Sequence, residues 1–143
     1  MRYVAVLAIL VCVAGAALAV PVLDQAQPVE SGLAGFGGTG GSRIAQTFVA
    51  GKTGLLHHVD VGFRTESADA TELSIRTTAS GIPTETVLGS AVLASLVVGW
   101  NTIDLASEGI FMTAGTPYAL ALTDLAAAPV GQKDLGVQWD PAA

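Results

Sequence analysis

Residues 55–64 read LLHHVDVGFR. Leu55, His57, Val59, Val61 and Phe63 occupy alternate positions, with Leu56, His58, Asp60, Gly62 and Arg64 between them. Successive side chains of an extended chain point to opposite faces. One face of this segment is therefore mostly apolar and the other mostly polar, the pattern of a half-buried strand. The same period recurs downstream. Leu73, Ile75 and Thr77 alternate with Glu72, Ser74 and Arg76; Ile103 and Leu105 with Thr102 and Asp104; Tyr118, Leu120 and Leu122 with Ala119, Ala121 and Thr123. Turn chemistry separates these runs at Ala50–Gly54, Ser80–Pro83 and Ala114–Pro117. Val87–Val98 is apolar without clean alternation, and Gly89 or Ser95 marks a bend or bulge there. Short strands about every ten residues, bounded by Gly and Pro, predict an antiparallel β-sandwich.

Composition agrees with one exported domain. The chain has 143 residues, 51% of them hydrophobic and 13% charged, too apolar for disorder and too short for two ordinary domains. Twelve acidic residues against six basic ones give a net charge of −6, which argues against nucleic acid as a partner. The first twenty residues, MRYVAVLAILVCVAGAALAV, open on Arg2, continue through an apolar run and end in Ala17-Leu18-Ala19. That is the three-part secretory pattern, with cleavage after Ala19. The competing reading is an uncleaved anchor, because the uncharged 21 residues from Tyr3 to Leu23 just reach across a bilayer. The small residues and Pro21 favour cleavage, leaving nothing in the membrane. Cys12 lies inside the apolar run behind Val11, the wrong context for lipoprotein processing. The expected organisation is a signal peptide over 1–19, a flexible Gly-rich leader over 20–43 and a β-sandwich domain over 44–143. Losing Arg2 leaves five basic residues against twelve acidic ones, a mature charge of −7 with no cysteine. Such a chain is secreted, extracellular or periplasmic, and holds its fold by packing alone.

Order and content of motifs add a resemblance. AQTFVAGKTGLLHHVDVGF, SGIPTETVLGSAVL, GWNTIDL and FMTAGTPYALAL, in that order, resemble a family of secreted bacterial jelly-roll modules, similar to carbohydrate-binding sandwiches. The likeness runs from about Asp24 to Asp140. It implies a jelly-roll type of sandwich, an extracellular accessory role, and a packing role for Tyr118. Family members continue past the counterpart of Trp139, so the resemblance also implies a C-terminal truncation or a missing closing strand at Pro141-Ala142-Ala143.

Motifs for chemistry are weak. Gly35-Phe36-Gly37-Gly38-Thr39-Gly40 matches G-x-G-x-x-G, but a strand pattern follows it instead of the helix that a pyrophosphate requires. Gly51-Lys52-Thr53 lacks the upstream glycine of a phosphate loop, since Gln46 stands there. His57 and His58 are neighbours on a strand, so they cannot chelate one metal. His57 falls on the apolar face, while His58 shares its face with Asp60. No G-x-S-x-G nucleophile turn is present. We therefore expect no catalysis. Calcium suits acidic loops, but no D-x-D-x-D-G loop places it, and no other cofactor is indicated. Phe48, Phe63 and Phe111 suit the core. Trp100 and Trp139 either cap the sandwich or stack on sugars and protein partners. The expected ligand-binding residues are Trp100, Trp139, Asp104 and Asp140. The expected function is a non-catalytic module for an extracellular glycan or cell-surface partner. Its alternative is a structural or assembly domain with no small ligand.

Overall fold

The structure, a computed structural model, describes residues 22–24, 33–36, 43–126, 133–136 and 139–142, and for 33–36, 133–136 and 139–142 the backbone only. The expected signal helix, its cleavage site and Cys12 lie outside the described residues. The described chain is all-β and antiparallel. Its strands are β1 (Leu33–Phe36), β2 (Arg43–Val49), β3 (Gly54–Leu55), β4 (His58–Phe63), β5 (Thr71–Ala79), β6 (Ile82–Leu93), β7 (Gly99–Asp104), β8 (Phe111–Met112), β9 (Pro117–Asp124), β10 (Lys133–Gly136) and β11 (Trp139–Ala142). One sheet has the order β2-β9-β5-β6 and a second the order β11-β4-β7; β1 pairs with β10, and β3 with β8.

The two larger sheets meet through one core. Phe48, Leu73, Ile75, Leu120 and Leu122 come from the four-stranded sheet, and Val59, Val61, Phe63 and Ile103 from the three-stranded sheet. Their alternation is the one read from the sequence, although β5 and β9 are covered on the other face too, where Ser74, Arg76, Ala119 and Ala121 are also buried. Leu73 and Ile75 are fully buried, each worth about 1.5–3 kcal/mol of transfer free energy. Tyr118 is buried beside Phe48, with ring centroids 6.0 Å apart. Its hydroxyl accepts a hydrogen bond from the Thr113 N–H at 3.0 Å, which satisfies the polar end of the ring. β5 and β6 form a hairpin closed by Ser80 and Gly81, both at positive φ (52° and 76°). That is the primed two-residue turn that matches strand twist. Pro83 follows it on β6, an edge strand, where the missing N–H leaves no gap in the ladder.

Two expectations are corrected. Leu55 is half exposed, while Leu56 is buried. The chain leaves strand geometry at Leu56 and His57, between β3 and β4, so the alternation does not run through them. Phe111 is 60% exposed, and Met112 takes the core position instead. Leu55 and Phe111 are partners across the β3–β8 pair, so both point away from the core together. Within the expected leader, Leu33–Phe36 form a strand, paired with Lys133–Gly136. Further up the leader, Asp24 Oδ2 accepts the Gly51 N–H at 2.9 Å and Lys52 Nζ donates to the Leu23 carbonyl at 3.1 Å. These contacts hold residues 23–24 against the turn that follows β2.

Candidate functional site

Trp100 and Asp104 sit on the outer face of the three-stranded sheet. β7 turns Asn101 and Ile103 inward, where they are buried, and leaves Trp100, Thr102 and Asp104 outside. β4 matches it in register. Gly62 lies opposite Trp100, Asp60 opposite Thr102, and His58 opposite Asp104. Successive rows on one face are about 6.8 Å apart, so Trp100 and Asp104 mark the ends of a strip roughly 13 Å long.

The loop leading into β7 fixes the tryptophan. Asn101 Nδ2 donates to the carbonyls of Val97 (2.8 Å) and Gly99 (3.0 Å), and its Oδ1 accepts the Val97 N–H at 3.1 Å. Gly99 holds φ of 99°, a conformation L side chains rarely adopt. Together they turn the chain so that Val97, Val98 and Trp100 are exposed, Trp100 at 48%. The cross-strand neighbour of Trp100 is Gly62, which has no side chain to cover the indole.

Polar groups fill the rest of the strip. Thr102 Oγ1 donates to Asp60 Oδ1. Asp104 Oδ1 accepts the Ala106 N–H at 2.9 Å, at the start of a 3₁₀ turn over Ala106–Glu108. One oxygen of Asp104 is therefore engaged in shaping the chain. His58 is half-buried in the last row. His57 precedes β4, and its carbonyl accepts the Leu105 N–H at 2.7 Å.

β11 brings the other two expected residues to the same sheet. It pairs with β4 on the side away from β7, setting Trp139 opposite Val61 and Asp140 opposite Asp60. Asp140 thus shares a row with Asp60 and Thr102, and the side chains of Trp139 and Asp140 lie outside the described residues. The four residues singled out in the sequence belong to one sheet, but only Trp100, Asp104 and Asp140 hold register positions of the strip; Trp139 stands in register with the buried Val61, a position of the other face. His58, Asp60 and Thr102 complete the strip. The His58–Asp60 spacing of two was the signal for the first pair; Thr102 carried none, because its partner is set by register. Among the described residues, no group of three or more His, Cys, Asp or Glu is placed to hold a metal ion, and no helix is long and apolar enough to cross a membrane.

The strip can offer an indole face for stacking, with the hydroxyl and carboxylate of Thr102 and Asp60 one row (about 6.8 Å) along the sheet and the His58 imidazole two rows along. That is the combination that holds a sugar ring, whose C–H face is apolar and whose edge is hydroxyl. No protein-family model, curated protein or solved structure matches this chain, which leaves the chemistry of the strip as the guide to its use.

Proposed function

We propose that this protein is an exported, non-catalytic β-sandwich module of the jelly-roll, carbohydrate-binding type, which holds an extracellular glycan on the outer face of its three-stranded sheet. The observation that carries this reading is Trp100. It is half exposed over a bare Gly62 and held in place by the buried Asn101. An indole exposed on a strand whose entry loop is pinned forgoes burial in the core, and a ligand that covers it recovers that free energy. Asp60, Thr102 and His58 supply hydrogen-bonding groups for the sugar's edge.

The test is titration of the chain with a panel of soluble polysaccharides, read by tryptophan fluorescence and by thermal shift. A ligand that binds only the native state must raise the melting temperature by mass action. One glycan class is expected to shift the melt, and Trp100→Ala to weaken it at least tenfold, the usual size of a central aromatic contact. A Trp100→Ala variant that binds as tightly as the parent would remove this site from consideration.

A second reading, an assembly domain, is favoured by β6. This edge strand has 12 residues and exposes Ile82, Val87 and Val92. Long edges invite pairing with a second chain. A concentration-dependent mass in sedimentation, abolished by Val92→Lys, would support it over the glycan reading.

A further inference from the structure

The opposite face of the molecule carries a groove of about 260 Å³ lined by Arg43, Ala45, Arg76, Pro83, Thr84 and Glu85 among others. It lies on the outer side of the four-stranded sheet. Its floor includes the small residues Ala45 and Ala121, which are in register with each other and with the buried Ser74. Arg76 is laid down in this groove with its side chain only 7% exposed. Its Nε donates to Ser74 Oγ at 3.1 Å, and its Nη1 to the Thr84 carbonyl at 3.3 Å. Nη1 also meets Glu85 Oε2 at 3.3 Å, and Arg43 Nη1 reaches the same oxygen at 3.7 Å. Arg76 Nη2 makes no hydrogen bond with any described residue.

Glu85 is brought there by a bulge. Arg76 pairs with Val87 and Thr78 with Pro83, so one residue of β5 faces three of β6, Thr84, Glu85 and Thr86. The bulge is held from within. The Thr77 and Thr84 hydroxyls bond each other, and Thr84 Oγ1 accepts the Thr86 N–H. Bulges of this kind re-aim a side chain beside a site. The carboxylate so aimed is itself 90% exposed. It is therefore free to swing out, while the buried guanidinium beneath it is not. Two guanidiniums against one carboxylate leave a local excess of positive charge in a chain whose net charge is −6. Guanidinium forks match carboxylates in shape and charge.

We propose that this groove is a binding site for the carboxylate of an acidic sugar residue, with Glu85 as a built-in occupant that the ligand displaces. The volume is below the range of drug-sized pockets and suits one sugar unit. Pro83 adds an apolar surface for the ring. Only the choice of a sugar, and not the carboxylate chemistry, rests on the function proposed above.

The experiment is NMR titration of the full chain with galacturonate, galactose and sodium sulfate, following the arginine Nε–Hε resonances. Galacturonate is expected to shift the Arg76 signal saturably. Glu85→Gln removes the competing charge and should tighten galacturonate binding about two- to fivefold, while Arg43→Gln should weaken it by a similar factor. Trp100→Ala should leave it unchanged, which separates this site from the strip on the other sheet. Sulfate binding as tightly as galacturonate overturns the sugar assignment in favour of a general oxyanion site. Galactose binding equally well, or Glu85→Gln failing to tighten galacturonate, overturns the carboxylate site. Since Glu85 is exposed, its variant keeps the fold, so its effect on galacturonate affinity tests the carboxylate site directly.

Discussion

Asn101 is the one asparagine of the chain, and it is buried. Its amide satisfies two carbonyls and one N–H of the loop that presents Trp100. Asn101→Ala leaves those groups unpaired in a part-buried place, which costs about 1–3 kcal/mol. Chemical denaturation measures the loss, and the exposed Trp100 reports the loosened loop as a faster decay of fluorescence anisotropy. A loss under about 0.5 kcal/mol, the scale of an ordinary surface change, would mean that water replaces the amide. Nothing in the local sequence announces this role. The partners of Asn101 are four and two residues back, and only the fold of the loop sets them beside it. Trp100 was legible as a candidate because an indole face stacks on sugars and on protein partners. Arg76 was not legible as more than a polar-face residue. Its alternation with Leu73 and Ile75 is correct, but burial on an outer face comes from the arch of β6 above it, which periodicity does not record.

Elements fail to be legible where parity changes. Leu55 and Leu56 are chemically identical, and alternation with Val59, Val61 and Phe63 puts Leu55 inside. The two residues between β3 and β4 break the count, and Leu56 is the buried one. Leu56→Ala should therefore cost about 2–5 kcal/mol, as a large buried side chain does. Leu55→Ala should change stability by no more than about 0.5 kcal/mol. Urea midpoints of the two variants decide it, and a larger loss for Leu55→Ala than for Leu56→Ala would mean that the strand runs unbroken from Leu55. Phe111 and Met112 show the same effect on the partner strand β8. β6 shows it a third way. Its extra residues opposite β5 explain why Val87–Val98 reads as apolar without a period. Gly89 pairs with Ile75 beside the first shift, so the bulge was readable there as a glycine and its geometry was not.

At the scale of the molecule, the sandwich follows from the strand count and the alternation, whereas the partners of each strand do not. β2 lies next to β9, and β4 next to β7 and β11, pairings between segments far apart in sequence. Such pairings depend on all the strands being present together. The shared core makes this a statement about stability. Leu73 belongs to the four-stranded sheet, while both tryptophans, on β7 and β11, belong to the three-stranded one. Tryptophan emission therefore reports on one sheet only, and far-ultraviolet circular dichroism on all strands. If the core is one cooperative unit, the two signals melt together. Leu73→Ala should then lower both midpoints by roughly 10 °C, although it touches only the sheet without tryptophan. A dichroism midpoint that falls while the tryptophan midpoint stays would show two sheets that unfold separately. Each outer face would then have to be stabilised by its own sheet. A glycan held on the tryptophan strip would raise the melting point of that sheet and leave the arginine groove unprotected.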